Sequence, residues 1–222
     1  MLTMGFKKDL ENILSKTPNE KQTMLFSATM SKRIFEITKK YMDSPIQISV
    51  GRLNLAAENV KHIYYMVNAK DRYEVLKRIA DSNPNIYGIT FCRTRKETKE
   101  ISNKLMQDGY NADAIHGDLS QAQRDEVMDR FRKHQLQILV ATDVAARGLD
   151  IDDLTHIINY NLPDDDEVYV HRSGRTGRAG KSGISIAIIH TREVRKIRRI
   201  EKNSGINFSN ELVPNGKDIC QR

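Results

Sequence analysis

A chain of 222 residues with a formal net charge of +7, 39% hydrophobic and 29% charged residues can bury a core and is too apolar for a disordered tail. The basic balance favours a polyanionic partner. There is no apolar run of membrane-spanning length, no signal peptide at Met1-Leu2-Thr3-Met4, and only Cys92 and Cys220, without metal spacing, so a cytoplasmic protein with reduced thiols and no membrane partner is expected.

Phe6, Leu10, Ile13 and Leu14 recur at helical spacing and predict an amphipathic helix, and Thr17-Pro18-Asn19-Glu20 predicts a loop. The apolar run Thr23-Met24-Leu25-Phe26 predicts a short buried strand that exits into Ser27-Ala28-Thr29. A second helix carries Ile34, Ile37, Thr38 and Tyr41 on one face; Pro45 stops it, and Ile46-Gln47-Ile48-Ser49-Val50 alternates like a strand. Two strands and two helices do not close a core, because buried parallel strands need neighbours on both faces. Residues 1–50 therefore read as the C-terminal remnant of a larger α/β domain, and residues 51–59, poor in apolar anchors, as a linker.

From residue 60 to 209 the pattern is regular, and residues 210–222 read as a tail. Strand-like runs fall at 62–67, 86–91, 112–115, 138–141, 157–160 and 184–189, mostly separated by helical patterns. That alternation predicts an α/β fold with a mainly parallel sheet, whose ligands gather at the carboxyl ends of the strands. Three polar clusters follow such runs: Cys92-Arg93-Thr94-Arg95; His116-Gly117-Asp118, with Gln121 and Arg124 one turn apart on the next helix; and Thr142 to Asp150. Hydroxyls, loop amides and helix N-termini along one sheet edge make a groove for phosphates. Each cluster alone also suits a structural role: Asp118 or Ser120 as a helix cap, Asp143 as a turn residue, Arg93 and Arg95 as a solvated pair.

The octet His171-Arg172-Ser173-Gly174-Arg175-Thr176-Gly177-Arg178 sets arginines at every third position with Gly174 and Gly177 between them. The spacing predicts guanidinium groups brought close together. Such permanently charged forks match phosphate oxygens, which points to a phosphate clamp.

Taken with Ser27-Ala28-Thr29, Phe91 to Arg95, His116-Gly117-Asp118 with Gln121 and Arg124, and Ala141 to Ile151, the octet completes an ordered set that resembles the DEAD-box RNA helicases. The resemblance implies a RecA-like three-layer fold, preceded by an incomplete remnant of a first RecA-like domain, with Met1 falling just past that domain's acidic box. It implies Arg175 and Arg178 as arginine fingers on the γ-phosphate of ATP and Asp150 on the ribose hydroxyls. Thr94, Gly117, Gln121, Arg124, Thr142 and Arg147 would hold the RNA backbone. His171 and Arg172 would belong to an interdomain contact, and Ser27 and Thr29 would couple hydrolysis to strand separation. ATP and Mg²⁺ are the implied cofactors, with most of their site on the first domain. RNA, held independently of sequence, is the implied partner, and the exposed remnant leaves self-association open. The Gly-rich lysine loop and the acidic metal-binding box do not occur in these 222 residues, so this chain alone is expected to be inactive. Two alternatives stay open: a DNA helicase or translocase half, and a non-catalytic RNA-binding module. The helix expected over 192–203 has Val194, Ile197 and Ile200 inward and a basic remainder, read as a solvated face or a further RNA contact.

Overall fold

A computed structural model describes residues 7–18, 20–27, 32–48, 59–149, 151 and 153–216. The chain divides into two compact units, Met1–Asn54 and Leu55–Arg222. In the first, α1 (Lys7–Ser15) and α2 (Lys32–Tyr41) form where the apolar periodicity predicts them. They are tied by Glu11, whose Oε1 accepts from Lys40 Nζ at 2.8 Å and from Tyr41 Oη at 2.7 Å. The strands expected at 23–26 and 46–50 are not found: residues 21–27 and 45–48 are irregular, and Phe26 and Ile46 are 86% and 90% exposed. A β-strand exists only through hydrogen bonds to a neighbour, and the described residues offer these segments none. Ser49, Val50 and most of the expected linker lie outside the described residues.

The second unit is a seven-stranded, wholly parallel sheet built from β1 (Val60–Met66), β2 (Gly88–Phe91), β3 (Ala112–Ile115), β4 (Ile138–Ala141), β5 (His156–Asn159), β6 (Gly183–Ile189) and β7 (Phe208–Asn210). Their order is β3-β4-β2-β5-β6-β1-β7. Because side chains alternate along a strand, β4 sends Ile138 and Val140 to one face and Leu139 and Ala141 to the other. The first face packs on α3 (Arg72–Asp81) through Val75, Leu76 and Ile79, and on α4 (Arg95–Gln107) through Ile101 and Leu105. The second is covered by α5 (Gln121–Arg132), by the loop carrying Ala145, Ala146 and Leu149, and by α6 (Asp166–Ser173) and α7 (Val194–Ser204). This is the expected three-layer RecA-like α/β fold.

Two elements were not anticipated from the sequence. The first half of the arginine octet is the end of α6, begun by the Asp165 side chain accepting from the Glu167 amide. The short β7 beside β1 forms from a segment with little apolar pattern. Gly88 is required by a close approach, since a Cβ there would run into the carbonyl oxygen of His156 on β5.

Candidate nucleotide and nucleic-acid interface

The three loop clusters emerge at the carboxyl ends of β2, β3 and β4, as expected for a parallel sheet. Thr94 starts α4: its Oγ1 accepts from the Glu97 amide at 3.2 Å. Of the two candidate caps for α5, Ser120 takes that role, forming a reciprocal capping box with Gln123. Asp118 instead binds Lys99 Nζ at 3.3 Å and Arg95 Nη1 at 2.5 Å; the Lys99 bond, then the charge of Arg95, hold its carboxyl below the usual range. Gly117 is exposed between them, and a side chain there would reach the Arg95 stem. His116 is buried with Nδ1 accepting from the Asp118 amide; burial, then the charge of Lys99, hold it below the ordinary imidazole range. Cys92 is also buried, and burial raises its thiol far above the usual range, so it is no nucleophile.

The third cluster folds back over the sheet. Thr142 is buried, its Oγ1 accepting from the Ala145 amide and its carbonyl from the Ala146 amide, which turns the loop so that Arg147 and Gly148 face outward. Arg124 on α5 donates through Nη2 to the Ala145 carbonyl at 3.3 Å, while Gln121 is exposed and donates to Asp125.

The octet does not present three parallel arginines. Arg172 turns inward and is 4% exposed, donating through Nε and Nη2 to Asp143 and through Nη1 to Asn159 Oδ1 and the Asn161 carbonyl, each at 2.8 Å for Nη1. Its guanidinium also lies 4.7 Å from the Phe91 ring centroid. Arg172, grouped with His171 by resemblance as an interdomain residue, thus has its charge bound within its own unit. Beyond α6 the chain heads for the amino end of β6. Thr176 donates to the Leu154 carbonyl just before β5, and Gly177 takes φ +69° against Val60 at the start of β1. Arg175 and Arg178 therefore follow α6 and precede β6, rather than following directly on the carboxyl end of a strand as the other clusters do. Arg175 donates to the Leu149 carbonyl at 2.9 Å, and Arg178, exposed, donates to the Gly174 carbonyl at 3.0 Å. His171 is held below the ordinary imidazole range by its packing and then by the charges of Arg175 and Arg147, so these three groups share one stretch of surface.

The four clusters form a closed chain of contacts. Arg95 joins the first to the second through Asp118, Arg124 joins the second to the third, and Asp143 joins the third to Arg172. Arg172 then meets the Asn161 carbonyl, and Asn161 Oδ1 accepts from the Arg93 amide at 2.9 Å, which returns to the first cluster. Asn161 also donates to Glu97. Asn159, Asn161 and Glu97 were missed in the sequence; Asn161 could have been found, because it follows a strand run as the other clusters do. Ser27 is exposed in the first unit; Thr29 and Asp150 lie outside the described residues.

A parallel α/β sheet with these loops is a helicase C-terminal domain of RecA type, and residues 71–180 match the family model for the helicase conserved C-terminal domain. Within that class the chain is similar, over most of its length, to DEAD-box ATP-dependent RNA helicases. It is 45% identical over 175 residues to the DEAD-box ATP-dependent RNA helicase CshA of Geobacillus kaustophilus, covering 79% of this chain and 38% of that protein. Over the same length it is 46% identical to a probable ATP-dependent RNA helicase of Methanocaldococcus jannaschii, covering 79% of this chain and 46% of that one. The chain thus spans less than half the length of these relatives. Among solved structures it resembles a Saccharomyces cerevisiae Dbp5 bound to RNA and ADP BeF3, with TM-score 0.88, 28% identity, and coverage of 98% of this chain and 58% of that one. It also resembles the DEAD box protein from Methanococcus jannaschii, with TM-score 0.67, 44% identity, and coverage of 95% and 57%.

Proposed function

We propose that this chain supplies the RNA-gripping and phosphate-sensing half of an ATP-dependent RNA helicase. Residues 1–50 are the tail of the preceding RecA-like domain, 51–59 the linker, 60–209 the second domain and 210–222 a tail; the protein works in the cytoplasm. The observation that carries this reading is the closed chain of contacts linking the Thr94, Gly117 and Thr142 loops to the octet. It gives one rigid body in which phosphate-facing loops and arginines keep a fixed relation.

Thr94, Gly117, Gln121, Arg124, Thr142 and Arg147 take the sugar–phosphate backbone of RNA, with exposed Arg147 as the main point charge and Thr142 and Arg124 shaping its loop. Backbone contacts carry no base information, so binding is indifferent to sequence. Arg175 and Arg178 take the γ-phosphate of ATP and Asp150 its ribose. The charges gathered at Arg147, His171 and Arg175 fit a polyanion, and a guanidinium that cannot deprotonate stabilises charge developing on a transferring phosphoryl group. Mg²⁺ and most of the nucleotide belong to groups of the first domain, the Gly-rich lysine loop and the acidic box. Arg172 acts as a positioning residue, and His171, Ser27 and Thr29 couple the two domains.

The test is to titrate labelled RNA and labelled DNA into this chain, with and without ATP and Mg²⁺, and to measure phosphate release. RNA binding that is weak, salt-sensitive and unaffected by ATP, with phosphate release at background, is expected. Release that is stimulated by RNA and lost in Arg175→Ala would overturn the assignment of the chain as an inactive half, and tighter binding of DNA would favour a DNA translocase.

A further inference from the structure

Residues 192–204 contain six cationic and two acidic side chains, the densest positive stretch of the chain. Within α7, Ile197 and Ile200 are buried against Ala187, Ile189 and Tyr169. Both acids of the stretch are spent on local structure: Glu193 binds Arg72 and the His190 amide, and Glu201 accepts from the Phe208 amide at 3.0 Å. On the flank toward α6, Lys196 binds Asp164 at 2.5 Å and Arg199 binds Asp166 at 2.9 Å. What remains is Arg192, Arg195, Arg198 and Lys202, all exposed, and the described residues give none of these side chains a hydrogen-bond or ion-pair partner.

Arg195, Arg198 and Lys202 are spaced three and four apart, so they stack on one face, from first to last about 10 Å along the axis. Like charges so placed repel one another in the folded state, and a bound polyanion removes that cost. The row starts beside the groove already described. As part of the crossover after β6, α7 begins at the carboxyl edge, and Asp164, which holds Lys196, is also 3.9 Å from Arg93 Nη2, the neighbour of Thr94. Arginine and lysine on a helix face, with no aromatic side chain among them, suit a phosphate backbone rather than stacked bases.

We infer that Arg192, Arg195, Arg198 and Lys202 form a second phosphate-contacting surface, which takes the RNA strand where it leaves the groove at Arg93 and Thr94. This rests on the reading that the chain binds RNA; an acidic protein is the competing occupant. The experiment is fluorescence anisotropy with this chain, using a short uridine oligonucleotide that fills only the groove, one several times longer, and polyglutamate. The variants are R195Q/R198Q/K202Q, which keeps good helix formers at all three positions, R195K/R198K, and Arg147→Ala.

The glutamine variant should bind the long RNA more weakly and lower its salt slope by about 2, from three contacts at about 0.7 each, while the short RNA is unaffected. The lysine variant should bind like the parent, because the contact is charge to phosphate rather than a bidentate fork. Arg147→Ala should weaken both RNAs. Unchanged long-RNA binding in the glutamine variant, with Arg147→Ala still harmful, would overturn the second surface and leave the RNA reading standing. Binding of polyglutamate that depends on the stripe, with long RNA unaffected, would reassign it to an acidic protein. No RNA bound by the parent chain would overturn both readings. If the glutamine variant melts early, loss of long-RNA binding in Arg198→Gln alone, or its absence, decides the matter.

Discussion

Arg172 and Asp143, 29 residues apart, form a bidentate pair with Nε to Oδ1 at 2.6 Å and Nη2 to Oδ2 at 2.8 Å. The pair fastens α6 to the loop after β4, and the Nη1 bonds to Asn159 and Asn161 extend it to β5. The first arginine of the basic octet is thereby a structural tie, and the two that follow it, Arg175 and Arg178, are held by the Leu149 and Gly174 carbonyls.

Removing the carboxylate strands a buried guanidinium, which typically costs about 3–5 kcal/mol. Asp143 is itself partly exposed, so Asp143→Ala should fall at the low end, about 3 kcal/mol, with Asp143→Asn milder because it can still accept one hydrogen bond. Urea midpoints of the three proteins check this. A midpoint for Asp143→Ala equal to the parent would mean that Arg172 finds water or another acceptor.

Arg147 is exposed on the surface it shares with His171 and Arg175. Arg147→Ala should weaken RNA binding equally for every base sequence and flatten the salt dependence by about 0.7 in log–log slope. Arg124→Ala should do the same with an added loss of order in the loop it ties at Ala145. Titrations over a series of salt concentrations and homopolymers decide this; a base preference that relaxes on mutation would contradict backbone recognition.

Stability should fall on mild acidification. Burial lowers His62 and His156 to about 4, whereas an unfolded imidazole titrates at about 6.5. Between those values the unfolded chain binds more protons, so the contribution is fully present above pH ~6.5 and is lost as pH falls toward ~4, at most about 3 kcal/mol per histidine. The urea midpoint should therefore be lower at pH ~5 than at pH ~7, and His156→Asn should remove part of the difference. A midpoint flat across that window would show that the two rings admit a proton at little cost.

Hydrogen exchange should separate the two units. Leu25 and Phe26 lie in irregular chain, and their amides have no partner among the described residues, while Leu139 and Val140 are fully buried in β4 between β2 and β3. Rapid exchange at the first pair beside slow exchange at the second is expected. The exposed apolar side chains of Met24, Phe26, Ile46 and Ile48 should also drive association that depends on concentration and disappears when the chain is cut back to about Ala57. Equal protection of both pairs in a monomer would show that residues 7–48 pack as a complete unit.

By itself the sequence determined the parallel α/β fold and the strand cores at 112–115 and 138–141, because apolar runs separated by helical periodicity admit few other packings. It also determined which loops carry polar clusters, since residues that follow a parallel strand must emerge at one edge. Only the tertiary structure decided how the octet divides. Spacing of three residues is compatible with a shared direction, but α6 ends within the octet and Gly177 turns the chain at positive φ, so Arg172 goes to the core and Arg175 and Arg178 to the surface. It likewise decided that Asp118 binds the cations of α4 rather than capping α5, and that Asn161 closes the ring of contacts, the latter because β2 and β5 neighbour one another in the sheet and not in the chain. The segments at 23–26 and 46–48 make the same point from the other side. An apolar run states what a strand would bury, but a strand forms only where another backbone lies beside it.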